Sequence, residues 1–343
     1  MKGFVRFTIL FLMAHCCFAE QWSALSFVTF NDAQRSLMRY RNSVIVKKEL
    51  SSLATQILFS WNVVRPLEGK YLFSMQVYDA TTQRWSNWAR IAEWGKGVQR
   101  SFEQSIENDP SFFYVRWQMP KGHVADKCRV KVEGFGGASL DLVYRLSFAA
   151  VHYPSFVSER GNDLNFSLPS IAIKHMPAIS QMEAQHRERN RICSPASLSM
   201  VVSYLNGKYE APESFAEDVY DYGLETYGSW PFNVAHAFDR CRGRFYFSVT
   251  RFNQFAELYD YLKKRLPVVV SVRGPLKTMP EGKTYSEGHL LVVAGWDNSH
   301  KKVICFDPAF SSSKDVLHAY DINEFLKAWE NSGRLAYVIE PRD

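Results

Sequence analysis

Beyond its amino-terminal stretch the chain has no apolar run approaching the roughly 20 residues that a membrane-spanning helix needs, so no stable membrane span is expected. Cysteine is scarce, at 6 in 343 residues, and no two are spaced Cys-x-x-Cys. A zinc ribbon or finger requires such spacing. A disulfide scaffold requires more cysteines per residue. Dense lysine and arginine stripes are missing too. The formal charge of +6 is spread along the chain without a nucleic-acid-binding motif, so no nucleic-acid partner is expected. There is no internal repeat and no low-complexity tract, which excludes solenoids and arrays.

What is present fits a folded globular chain, with 46% apolar and 22% charged residues and length enough for two domains. Aromatics reach 15%, an excess that must be buried or used at a surface. The first 19 residues predict a secretory signal peptide. Lys2 and Arg6 start it, Phe7 to Phe18 is mostly apolar, and Cys17 and Ala19 are small residues before a cut. The expected location is therefore periplasmic or extracellular. Loss of Lys2 and Arg6, with no acid, takes the charge from +6 to +4. Four cysteines remain: Cys128, Cys193, Cys241 and Cys305.

The rest of the chain changes rhythm midway. Residues 20–153 alternate in short runs such as Gln56 to Trp61, Tyr71 to Tyr78, Phe112 to Trp117 and Cys128 to Val132. Turn material separates them, including Pro66 to Gly69 and Asn108 to Pro110. Such a pattern predicts an antiparallel β-sandwich without a long helix. Residues 154–178 read as a linker. Residues 179–343 read as helices followed by a mainly antiparallel sheet, an α+β order. Helices are expected from Ala196 to Leu205, closed by Gly207, and over Phe215–Tyr220, Pro231–Asp239, Phe252–Arg265 and Ile322–Glu330. Strands are expected from Pro267 to Val272, Leu290 to Gly295, Lys302 to Phe306 and Leu335 to Ile339.

One constellation carries chemistry. After Cys193 come Ser194, a good N-cap, and Pro195, well suited to the first helical position. This places Cys193 at the amino end of a helix, where unpaired N–H groups and the dipole favour a thiolate. A thiolate is the nucleophile that acyl transfer needs. By position alone, a small buried cysteine is the commoner fate. His289 and Asp307 bound a hairpin centred on Asn298, which sets them opposite each other with Cβ atoms about 5 Å apart. A slip of one residue would send them to opposite faces. An oxyanion needs donors, for which the Cys193 N–H and an upstream amide, Gln181 or Gln185, are available. Gln181 is preferred. A free thiol at Cys193 leaves three cysteines, an odd number, with one bridge among Cys128, Cys241 and Cys305 open.

In chain order these residues spell a recognisable text: Ile179-Ser180-Gln181-Met182, Cys193-Ser194-Pro195-Ala196-Ser197, Trp230-Pro231-Phe232-Asn233, Gly288-His289-Leu290-Leu291-Val292-Val293-Ala294-Gly295 and Asp307-Pro308-Ala309. About residues 175–341 resemble the C39-like peptidases of the papain-like superfamily. The resemblance implies an exported cysteine peptidase working through an acyl-enzyme thioester. It implies Cys193 as nucleophile, His289 as base and then acid, Asp307 as its orienter and Gln181 as oxyanion donor. Ser194 stands where many relatives have glycine, and the gap from Gln181 to Cys193 is wide, which keeps Gln185 open. No cofactor or metal is implied. The expected partner is a peptide or protein substrate.

Two alternatives stand beside this one. The same triad would serve a cell-wall peptide amidase or endopeptidase. A degenerate peptidase half would leave a binding protein acting through its sandwich. Trp61, Trp85, Trp88 and Trp94 bear on both, as a glycan-stacking or cell-wall contact surface. Trp85 and Trp88 would point to opposite faces of a strand, which favours core packing.

Overall fold

Period-two alternation in the first half builds two antiparallel sheets. The structure, a computed structural model, describes residues 21–105, 109–161, 168–276 and 285–342. The signal-peptide expectation for residues 1–19, and the turn position of Asn108, lie outside these. The first sheet runs β1 (Ser23–Thr29), β11 (Val143–Val151), β3 (Gln56–Val63), β9 (Arg116–Gln118), β8 (Ser111–Phe113). The second runs β2 (Ser43–Ala54), β10 (Ala125–Phe135), β4 (Lys70–Asp79), β6 (Ala89–Gly95), β7 (Val98–Ser101), with β5 (Arg84–Trp85) against β4. A seven-residue helix, α1 (Asp32–Met38), is started by a capping box between Asn31 and Gln34.

The two sheets meet through aromatics. Trp61 of β3 stacks on Phe73 of β4 at 4.5 Å, and Phe59 lies 5.9 Å from the same ring. Each such buried ring removes ~150–250 Å² from water, or roughly 4–6 kcal/mol of transfer free energy. Trp61 and Trp94 are thus core residues. Trp85 is half-buried and Trp88 exposed. Both lie under the Arg129 guanidinium, at 4.4 and 5.3 Å.

The second half is one antiparallel sheet with helices packed on it. Its order is β13 (Phe245–Arg251), β18 (Leu335–Pro341), β14 (Val268–Gly274), β15 (Tyr285–Asp297), β16 (Lys302–Phe306), β17 (Leu317–Asp321). The short strand β12 (Ile171–Ala172) adds to β15. The helices are α2 (Cys193–Asn206), α3 (Pro212–Val219), α4 (Trp230–Arg240), α5 (Phe255–Lys263) and α6 (Ile322–Glu330). Gly207 ends α2 at φ +64°, the left-handed conformation that glycine adopts without strain. The fold class is that expected, an α+β chain with an antiparallel β-sandwich before a peptidase-type half.

Two features depart from a simple pair of modules joined by a linker. The expected linker is bonded along the second half: Val157 O accepts from Arg334, Leu168 O from the Trp296 indole, and Pro169 O from the Tyr259 hydroxyl. The halves also share one apolar core. Phe232 of α4 stacks on Trp94 at 6.0 Å and meets Trp61 edge-on at 5.5 Å. Beside them, Asn62 bonds both the N–H and C=O of Phe247, at 2.8 and 2.9 Å.

Candidate active site

Cys193 is the first residue of α2. The expected cap is corrected here. Ile192 holds the N-cap position without a side-chain bond, and the helix begins two residues before Pro195. The Ser194 hydroxyl is unavailable because it is buried against the Tyr337 hydroxyl at 3.0 Å. Cys193 still lies where free helix N–H groups gather. Small residues let α2 sit close to β15, and the Ser197 hydroxyl donates to Leu290 O at 3.0 Å. Cys193 is half-buried, and the His289 imidazole acts on its thiol to favour the thiolate.

His289 lies within β15 opposite Val272 of β14. Its neighbour Gly288 adopts φ +93°, and Ser286, Glu287 and Gly288 together face Arg273 in a bulge. Such bulges re-aim a side chain. On the other side of β15 the expected register is corrected. Val292 pairs with Phe306 and Val293 with Cys305, and the ladder then shifts to Gly295 with Ile304. One step further along, Asp307 aligns with Leu291 rather than His289. An offset of two preserves the face, so the side chains still meet diagonally. His289 Nε2 bonds Asp307 Oδ1 at 2.7 Å, leaving Nδ1 to the sulfur.

The carboxylate of Asp307 is fully buried and fully satisfied. Oδ1 also accepts from the Ala309 N–H at 2.9 Å. Oδ2 accepts from the Tyr285 and Tyr320 hydroxyls at 2.9 and 2.6 Å. Burial alone would raise its pKa. The His289 charge and hydrogen bond, with Tyr320 and Ala309, prevail and hold it down to about 2. Burial likewise opposes a charged His289, yet Asp307 first and Cys193 second push the imidazole up to about 10. For the Cys193 thiol, burial works upward while the His289 hydrogen bond and charge and the Leu290 and Ser194 N–H groups work downward, and the net direction is down. Together these favour a thiolate–imidazolium pair beside a carboxylate.

Residues 173–337 match the model of the Peptidase_C39 like family. This half of the chain is a C39-like cysteine peptidase. No curated protein matches the chain in sequence. Among solved structures, a protein described as a C39-like peptidase from Bacillus anthracis is 18% identical, with 51% of this chain and 98% of that one covered at a TM-score of 0.39. Xylellain, a cysteine protease from Xylella fastidiosa, is 12% identical, covering 51% and 87% at 0.31.

The peptidase half separates the two glutamines. Gln185 is exposed. Gln181 is buried, on a short 3₁₀ turn from Gln181 to Glu183. Its N–H donates to Pro308 O, the residue after Asp307, at 2.9 Å. Its side-chain amide donates to Arg189 O at 2.8 Å, four residues before Cys193. The segment is thereby tied to both ends of the candidate site. Cys128, Cys241 and Cys305 are free and buried, so no bridge forms among them. Burial pushes the Cys241 thiol up to about 12, with Cys128 and Cys305 also raised.

Tyr285 and Tyr320 were missed from sequence. The Tyr285 ring also stacks on His289, with centroids 4.1 Å apart. The available signal was Tyr285 four residues before His289, a same-side spacing in a regular strand. Tyr320 lies on β17, a strand that the sequence pattern did not single out.

Proposed function

We propose that the protein is an exported peptidase that hydrolyses peptide bonds through Cys193, His289 and Asp307. The Cys193 thiolate attacks the scissile carbonyl carbon, and the carbonyl electrons move to oxygen. The Cys193 N–H and the Gln181 amide are the donors assigned to that oxyanion. Collapse expels the amine, which takes the Nδ1 proton from His289 and leaves a thioester on sulfur. Neutral His289 then takes a proton from water as the water attacks the thioester. Collapse of the second tetrahedral species releases the acid and restores the thiolate and imidazolium. Asp307 keeps Nε2 protonated throughout, so Nδ1 is the nitrogen that exchanges protons.

The observation carrying this reading is the His289 imidazole held at 2.7 Å by a fully buried carboxylate with four donors, beside a cysteine at a helix start whose thiol it favours as the thiolate. Export is supported by the charged start, apolar stretch and small cleavage-site residues of 1–19. The test is turnover of an unfolded protein substrate, with iodoacetamide labelling of Cys193. The expected result is that Cys193→Ala folds, loses labelling at that position and loses turnover. Undiminished hydrolysis by this variant would remove the nucleophile from the scheme.

A second reading, a cell-wall peptide substrate, is favoured by the outer face of the sandwich. There exposed Trp88 lies beside Arg129 and Lys131, and Tyr78 beneath Lys127. Aromatic and cationic groups together suit an anionic glycan polymer. Release of peptide from purified peptidoglycan, compared with release from unfolded protein, separates the two substrates.

A further inference from the structure

A cavity of about 430 Å³ lies where the sandwich meets the strand ends of the peptidase sheet. That size is within the range of small-ligand and side-chain pockets, ~300–1,000 Å³. The sandwich lends it Trp22, Tyr114 and Arg116, and the peptidase half lends Trp230, Arg251 and Arg273. It lies along the strands that carry the candidate site, lined by side chains at the positions that alternate with His289 and its partner Val272. Two lining residues, Ser271 and Arg273, flank Val272, the cross-strand partner of His289. Side-chain atoms of both lie 3.9 Å from where a Cβ on Gly288, the residue before His289, would sit.

The charge inside is one-sided. The Arg116 Nε is buried without a partner. Arg251 is itself 5% exposed and bonds neutral groups, the Gln56 amide and the Ser332 and Gly333 carbonyls. Arg273 is exposed and makes no ion pair among the described residues. The one acid in the wall, Glu330, is already engaged by the Arg334 guanidinium, the Glu159 N–H and the Ser158 hydroxyl. Burial, and then the charge of Arg116, hold Arg251 down to about 10, as expected of cations gathered without a counter-ion.

We propose that this cavity is a specificity subsite that takes a carboxylate of the peptide substrate. The inference rests on the peptidase reading of the neighbouring site. Arginines bind carboxylates in charge-assisted, bidentate pairs. The rings of Trp22, Tyr114 and Trp230 suit the aliphatic stem of the acidic residue. The sandwich thereby supplies part of the substrate surface. An acidic residue at one fixed distance from the scissile bond is favoured about 10- to 100-fold over its amide counterpart, the range of a charged hydrogen bond.

The experiment uses the whole chain and a set of fluorescent octapeptides. One glutamate moves along an otherwise neutral sequence, each position paired with glutamine. Each peptide is made as the C-terminal acid and as the amide, which tells a side-chain carboxylate from a terminal one. Binding to the Cys193→Ala protein is read by fluorescence polarisation, and cleavage by the unaltered protein is read in parallel. The expected result is a preference for glutamate, or for the free acid, at one position. Arg273→Gln should reduce it at least tenfold and Arg116→Gln should do the same, with neutral peptides unaffected. Arg273 is exposed, so its variant carries the test even where Arg116→Gln fails to fold. Cleavage of acidic and neutral peptides alike, or a preference that survives Arg273→Gln, overturns the subsite and leaves the peptidase reading standing. A binding preference without any cleavage keeps the subsite and removes that reading.

Discussion

The carboxylate of Asp307 can be stripped of its charge with little change of shape. Its Oδ1 accepts from the Ala309 N–H, a group that only donates, as well as from His289. In Asp307→Asn the amide oxygen must therefore stay at that corner. The amide nitrogen then faces the Tyr285 and Tyr320 hydroxyls, which can rotate to accept its two hydrogens. Orientation of the imidazole survives, and only the charge is lost. Replacing a charged by a neutral hydrogen bond removes about 1.5–3 kcal/mol at most, or about 10- to 150-fold in a rate that depends on the thiolate–imidazolium pair. His289, pushed up to about 10 chiefly by Asp307, should titrate much nearer neutrality. The assay is the pH dependence of Cys193 alkylation by iodoacetamide. The other three cysteines among the described residues are buried with raised thiol pKa values, so among them labelling reports Cys193 alone. Labelling at pH 6.5 should fall by the stated factor and converge with the unaltered protein at strongly alkaline pH. An unchanged profile would show that the carboxylate charge does not hold the pair.

Gln181→Ala should lower kcat by about 10²–10³ while leaving alkylation of Cys193 intact, and Gln185→Ala should be neutral. Equal losses from both would cancel the assignment. Tyr320→Phe removes one of four donors from a buried carboxylate and should cost about 1.5–3 kcal/mol in urea unfolding. In the Cys193→Ala protein, which lacks the opposing contribution of the thiol, stability against pH should show a plateau. The imidazole, still raised by Asp307, stabilises fully below its unfolded value of ~6.5, and this is lost as pH climbs through its raised folded value. The depressed carboxylate stabilises above its unfolded value of ~3.9, and this is lost as pH falls toward about 2. Residues 179–343 produced alone should aggregate, as read by light scattering, because residues that they need lie in the sandwich.

The elements that the sequence announced were those with a strong period. The apolar positions of α2 and the closing Gly207 located that helix within three residues at its start. The run from Leu290 to Gly295 located β15, though not its extension back to Tyr285, where Ser286, Glu287 and Gly288 break the alternation. Counting outward from Asn298 misplaced the turn, because Asp297 pairs with Lys302 and the ladder starts three steps from the expected register, and the shift at Ala294 takes one step back. The His289–Asp307 contact survived because the resulting error was two, which keeps the face. An error of one would have destroyed it. The mistaken cap has another cause. Ser194 has good capping chemistry, but Tyr337 competes for its hydroxyl from 143 residues away, and local propensity carries no record of such a partner. Tyr320 was hidden although it lies only 13 residues from Asp307. A tyrosine in a short strand looks like core, and only the fold shows its hydroxyl on the carboxylate.

The junction between the halves is the part least visible in sequence, and it has a physical logic. Strand β13 is an edge of the peptidase sheet, and an edge strand presents unpaired N–H and C=O groups that invite pairing with another chain. Here the sandwich answers them with side chains. Asn62 takes both groups of Phe247, and the Ser60 hydroxyl accepts from the Val249 N–H at 3.1 Å. Ser147 meets Ser248, hydroxyl to hydroxyl, at 2.9 Å. Serine and asparagine inside β3 are poor strand formers and are fully buried, which is costly unless each finds a partner. Their cost is offset only because β13 lies against them. Polar residues in the middle of an otherwise apolar strand, Ser60-Trp61-Asn62, are thus the trace in the sequence of a second surface docked there, and they bind the sandwich to the half that carries Cys193.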